Sequence, residues 1–144
     1  MPLLIDDTDY NLEEQAGFIL RKAYQRHTSI FAEHARDQLT SMQFLTLYRL
    51  AIEPGQVSQN ALGRLVAMDA ATTKGVVSRL VARGLIESKR DQIDRRRYML
   101  STTAKGRAVL DGMLPKMKTV TVETLSPLTE QERHQLISLL HKIT

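Results

Sequence analysis

The 144-residue chain carries a net charge of +4, 42% hydrophobic residues and no cysteine. That hydrophobic content supports a packed core rather than disorder, and the length suits one compact unit. Disulfides, thiolate zinc sites and thiol redox chemistry are excluded, and no apolar run approaches the roughly 20 residues of a membrane span.

The acidic start, with Asp6, Asp7 and Asp9, is unlike a secretory leader, so the expected compartment is the cytoplasm and no membrane partner is expected. Ala16, Ile19, Leu20, Ala23, Tyr24, His27, Ile30, Phe31 and His34 recur at three- and four-residue spacing, predicting one amphipathic helix over about 11–36. Thr40 with Gln43 fits a capping box, and Leu39 with Phe44 fits a hydrophobic staple, so a second helix starts there. It runs to about Ala51 and stops at Pro54-Gly55. Ser58 caps a short helix through about Val66 that buries Leu62, Leu65 and Val66. Asp69 caps the next, which Gly84 ends at its C′ position.

Two short helices joined by a tight turn outline a helix-turn-helix. "LIESKR" (85–90) and "RRYMLS" (96–101) then read as a hairpin around a charged loop, which completes a winged helix. Beyond it, Val109, Met113, Met117, Val120 and Thr124 form a stripe with Pro115 predicting a kink. Thr129 and Glu132 open a final helix with Leu136, Leu139, Leu140 and Ile143. The predicted fold class is mainly α with a small β-hairpin wing. Its divisions are a first-helix region (1–39), the winged lobe (40–106) and C-terminal helices (107–144).

Charge is unevenly placed. Residues 1–63 sum to −3, residues 64–107 to +7 and residues 108–144 to zero, so the positive charge gathers around the second helix of the helix-turn-helix, which suits a polyanion. That helix, "DAATTKGVVSRLVARG" (69–84), puts Thr73, Val76, Val77 and Leu80 on one side. The other side is bare: Ala71, Gly75, Ser78 and Ala82, edged by Lys74 and Arg79. Such a flank either packs against another helix or enters the DNA major groove, which is about 12 Å wide. In the second case Thr72, Thr73 and Lys74 reach base edges or phosphates, and Arg79 and Arg83 reach the backbone. Arg95, Arg96 and Arg97, beside Asp94, lie where a wing projects, and arginine suits a narrow, electronegative minor groove.

The segment "SQNALGRLVAMDAATTKGVVSRLVARGLIESKRDQIDRRRYMLSTTAKG" (58–106) resembles the MarR (multiple antibiotic resistance regulator) family of bacterial winged-helix transcription factors. The "DRR" of Asp94-Arg95-Arg96, followed by Leu100, Thr103 and Gly106, carries the resemblance. It departs at Gln92-Ile93, where a proline is common, and at Ser101, where an apolar residue is usual. The resemblance implies a homodimeric regulator, most readily a repressor, reading an inverted repeat in double-stranded DNA. Ser58, Asn60, Ala71, Thr72, Thr73, Lys74, Ser78, Arg79, Arg95 and Arg96 are the expected DNA-binding residues. Arg96 takes the minor-groove position, and Asp69 or Asp94 supports it. Leu3, Leu4 and Ile5 would join the last helix across a two-fold axis.

Family members commonly leave DNA when a small aromatic acid binds. Tyr24, His27, Phe31, Phe44 and Tyr48 are the candidate lining here, with ordinary core packing as the alternative. No cofactor and no metal are expected: His27 and His34 stand two turns apart, about 10 Å, too far for one zinc ion. His134 and His141 repeat that spacing. Catalytic motifs are missing, so an enzyme is not expected. The rival reading is a winged-helix module whose basic surface binds an acidic protein.

Overall fold

Capping chemistry sets most helix boundaries in the computed structural model, which describes residues 10–144. The expectations for Leu3, Leu4, Ile5, Asp6, Asp7 and Asp9 lie outside the described residues. Asn11 caps a 3-10 turn, Leu12–Glu14, by accepting the Glu13 N–H at 3.0 Å. Gln15 is then extended, so helix α1 (Ala16–Ala35) begins later than the apolar spacing predicts. It ends where Arg36 and Asp37 both turn left-handed, at φ 44° and 66°.

Helix α2 (Ser41–Ile52) starts at the predicted capping box: Thr40 Oγ1 accepts the Gln43 N–H, and Gln43 Oε1 accepts the Thr40 N–H, each at 3.1 Å. A two-residue strand β1 (Val57–Ser58) precedes helix α3 (Gln59–Leu65), which Ser58 caps through the Ala61 N–H. Helix α4 (Ala70–Ala82) is capped by Asp69, whose Oδ1 accepts the Thr72 N–H at 2.7 Å. Both helices of this pair end in the same motif. Met68 N donates to Gly63 O and Ala67 N to Arg64 O; Leu85 N donates to Leu80 O and Gly84 N to Val81 O. These are Schellman turns, which need a left-handed residue. Gly84 (φ 73°) supplies it without strain, whereas Ala67 (φ 56°) does so at a cost.

Strands β2 (Ile86–Arg90) and β3 (Tyr98–Thr102) form the hairpin, and β1 adds to the far edge of β3, giving the antiparallel order β1-β3-β2. The sequence did not signal β1. The strands begin one and two residues later than expected: Leu85 N–H is still engaged in the turn that ends α4, and Arg97 N–H closes a turn onto Asp94 O that holds Arg96 and Arg97 in the loop. Helix α5 (Ala104–Thr124) runs on unbroken through Pro115. Its first turn sits directly on the start of β2. The Leu85 carbonyl and a Thr102 methyl occupy the space that any Cβ on Gly106 would need. Helix α6 (Glu130–Lys142) opens at the Thr129–Glu132 capping box.

The core lies where the winged lobe meets α5 and the end of α1. Leu47, Leu62, Leu80, Leu85, Ile86, Leu100 and Met113 are fully buried, and the C-terminal half of α1 closes it with Phe31 and Ala35. Each such side chain contributes about 1.5–3 kcal/mol by leaving water. One expectation fails here: Leu65 is 40% exposed, facing out from α3. The α1 stripe is covered by the chain's own core only in its second half, leaving Ile19, Leu20 and Tyr24 exposed. Among the described residues α6 buries none of its own side chains, and Leu139 and Ile143 are mostly open.

Polar contacts tie the helices together. Arg26 donates to the carbonyls of Glu123 and Thr124 at the end of α5. His27 Nδ1 lies 2.8 Å from Thr124 Oγ1, and His34 Nε2 lies 2.7 Å from Glu123 Oε1. Partial burial pushes the His27 imidazole below its usual pKa. At the turn after α1, Arg83 Nη1 donates to the Gln38 carbonyl at 2.6 Å.

Candidate nucleic-acid interface

The bare flank of α4 is open. Ala71, Lys74, Ser78, Arg79 and Ala82 are exposed, and a Cβ built on Gly75 meets nothing within 4 Å among the described residues. The opposite side, with Thr73, Val76, Val77 and Leu80, is buried against the core. The helix therefore keeps small side chains where its own chain makes no packing demand, at a propensity cost of about 1 kcal/mol for the glycine.

Most of the predicted contact residues gather on this side; two of them, Thr73 and Ser58, take other roles, as does Asp69, one of the two candidate wing supports. Thr72 is half-buried in the first turn of α4, and Asn60 projects from α3 into the same crevice as Ala70. Thr73 is 2% exposed; its hydroxyl donates to the Asp69 carbonyl and sits against Gly63, where α3 and α4 cross closely. It is a packing residue, not a free contact. Ser58 is 9% exposed and occupied as the α3 cap. Asp69 does not support the wing: its carboxylate accepts backbone N–H bonds at the start of α4, which hold it below the usual carboxylate range.

Wing support falls to Asp94. Its Oδ1 accepts from both the backbone N–H and Nε of Arg96, each at 3.1 Å. Those bonds, with the nearby Arg97 charge, depress its pKa. Asp91 holds the loop from the other side by accepting the Ile93 N–H and lying 3.9 Å from Arg97. The Arg96 side chain is thereby aimed while remaining 90% exposed. Arg95 is exposed beside it.

Two clefts connect helix and wing. One holds Ser58, Asn60, Arg64, Arg96 and Arg97; the other holds Lys74, Ser78 and Ser88. Gln59 and Tyr98 line both. Sequence reasoning missed Gln59, Arg64 and Tyr98. The usable signal was strand alternation, which puts Tyr98 on the same face as buried Leu100 and so towards the helices.

The five candidate effector residues form a row and a pair. Phe31, Phe44 and Tyr48 stand with ring centroids 5.8 and 5.9 Å apart, and Tyr24 stacks on His27 at 6.2 Å. Phe31 belongs to the core, as the alternative reading had it, while Tyr24 and Tyr48 stay exposed. A cavity of about 390 Å³ opens beside the turn between α1 and α2, bounded by Phe31, Ala35, Leu39 and Arg83. Of the five, only Phe31 borders it. Among the described residues no group of three or more His, Asp or Glu side chains converges as metal ligands, and no helix is long and apolar enough to cross a membrane.

Comparison with known proteins agrees with this geometry. A sequence profile of the MarR family matches residues 37–97. The chain is 43% identical over 140 residues to NicR, an HTH-type transcriptional repressor of Pseudomonas putida, covering 96% of this chain and 88% of NicR. Its fold is similar to Bordetella bronchiseptica BpsR, whose structure concerns regulation of DNA binding by 6-hydroxynicotinic acid. The TM-score is 0.86 at 36% identity, over 93% of this chain and 96% of BpsR. It is also similar to the transcriptional repressor CouR bound to a 23-mer DNA duplex, with TM-score 0.81 and 29% identity over 92% of this chain and 94% of CouR. A helix-turn-helix with an open flank, an arginine-tipped wing and relatives at this level of identity lead to one conclusion: the chain belongs to the MarR family of winged-helix, DNA-binding transcription regulators, which are not enzymes.

Proposed function

We propose that this protein is a cytoplasmic, homodimeric repressor that reads an inverted repeat and is released from it by a small aromatic acid. Residues 70–83 enter the major groove with Ala71, Gly75, Ser78 and Ala82 leading. Thr72 and Lys74 meet base edges or phosphates, and Asn60 and Arg79 meet the backbone. Arg96, aimed by Asp94, enters the minor groove with Arg95 beside it. The observation that carries the reading is the unfilled space over Gly75 within the most basic third of the chain.

The dimer is supported by apolar side chains that the single chain leaves uncovered on α1 and α6, Ile19, Leu20, Leu139 and Ile143 among them. The working division remains 1–39 and 107–144 for dimerisation and 40–106 for DNA. Tyr24, His27, Phe44 and Tyr48 offer ring faces and an imidazole to an aromatic carboxylate, and the similarity to BpsR favours a hydroxylated nicotinate or benzoate.

Selection of bound duplexes from a random pool tests the reading directly. A symmetric consensus with half-sites about one helical turn apart is expected. Its affinity should fall steeply with salt as phosphate contacts release counterions. No enriched duplex, together with a flat salt response, would favour an acidic protein partner instead. Calorimetry with hydroxylated nicotinates and benzoates checks the effector, and the absence of heat with all of them would remove it.

A further inference from the structure

We infer that Tyr98, seated by Arg90 and flanked by Gln59, donates a hydrogen bond to the phosphate that passes between the major-groove helix and the minor-groove wing. This rests on the docking proposed above. Tyr98 and Gln59 line both clefts, so they form the saddle between the α4 side and the Arg96 side. A duplex engaging both readers must lay one backbone segment across that saddle. Tyr98 is 43% exposed there.

The local chemistry favours an anion. Arg90 is the cross-strand partner of Tyr98. Its guanidinium lies 5.5 Å from the ring centroid, and one of its N–H groups donates to the phenolic oxygen at 3.1 Å. A guanidinium has no acceptor. The tyrosine therefore accepts from Arg90 and keeps its own O–H proton available for another acceptor. In this saddle, bordered by Arg96, Arg97 and Lys74, that acceptor is a phosphate oxygen. Tyr98 is thus a binding residue and Arg90 a positioning residue.

The test uses the tightest duplex recovered from the random pool, with single phosphates replaced in turn by neutral methylphosphonates. Tyr98→Phe removes only the hydroxyl and leaves the ring under Arg90. Affinity should fall about tenfold per half-site, the scale of one hydrogen bond to a charged group. The salt slope should stay unchanged, because no cation has been removed. One methylphosphonate per half-site should weaken wild type but have little further effect on the variant. Wild-type affinity for Tyr98→Phe, or losses that add at every phosphate, would overturn the inference while leaving the docking intact. Failure of the wild-type protein to bind any duplex would overturn the docking and this inference with it. A changed salt slope would show that the hydroxyl acts only by placing the wing arginines, and would also reject a direct contact.

Discussion

Gly75 separates stability from recognition, and two substitutions there measure each. A methyl group added at this position meets nothing within 4 Å among the described residues, so Gly75→Ala introduces no clash with them and gains the helix propensity that glycine lacks, about 1 kcal/mol. Its thermal midpoint should rise by a few degrees. Because Ala71 and Ala82 already share the flank, duplex affinity should stay within about threefold of wild type. Gly75→Glu also regains propensity and should fold normally. Its carboxylate, however, lands in the groove. At roughly 5 Å from one phosphate and an effective dielectric near 20, repulsion is about 3 kcal/mol, or on the order of 100-fold in affinity. Thermal unfolding and fluorescence anisotropy on the selected duplex read the two effects. Unchanged duplex binding by the Glu variant would refute the docking face. Destabilisation by the Ala variant would show that the flank packs against something in the assembled molecule.

Arg96→Ala should weaken duplex binding by about 1–3 kcal/mol per site and lower the salt slope by about one, with no change in unfolding, as anisotropy across a salt series would show. Gly106→Ala forces a methyl into the Leu85 carbonyl, so urea unfolding should report a loss of about 1–3 kcal/mol or more. His27 titrates below its usual 6.5 in the folded protein. The unfolded chain therefore takes up its proton first, and stability present above about pH 6.5 is lost as pH falls towards the folded value. His27→Gln should flatten that part of the pH–stability curve; an unaltered slope between pH 7 and 5 would show that the imidazole is not the group responsible. Ala67→Gly relieves a left-handed alanine and should stabilise by a few tenths of a kcal/mol up to about 1, measured by the same unfolding.

Features written locally in the sequence were legible. Thr40–Gln43, Asp69, Gly84 and Thr129–Glu132 act over two to four residues, and the structure uses them as the spacing predicts. The bare side of α4 was legible for the same reason, since a helical wheel needs only neighbours. What failed depends on distant chain. Strand β1 exists only because Val57 and Ser58 meet Leu100 and Met99. Thr73 lies at the edge between two faces, and the close crossing at Gly63 decides which it joins. The cavity beside Arg83 is shaped by the turn after α1, so the aromatic spacing on α1 and α2 gave no sign of it.

The bond from Arg83 to the Gln38 carbonyl has a mechanical meaning. Arg83 is the closing residue of α4, and Gln38 lies in the turn between the first two helices. The bond therefore fastens the trailing end of α4 to that turn, beside the direct packing of α2 on α4. Under the docking proposed above, a compound filling the adjoining cavity would touch both partners of this bond, Arg83 and Gln38, without approaching a nucleotide.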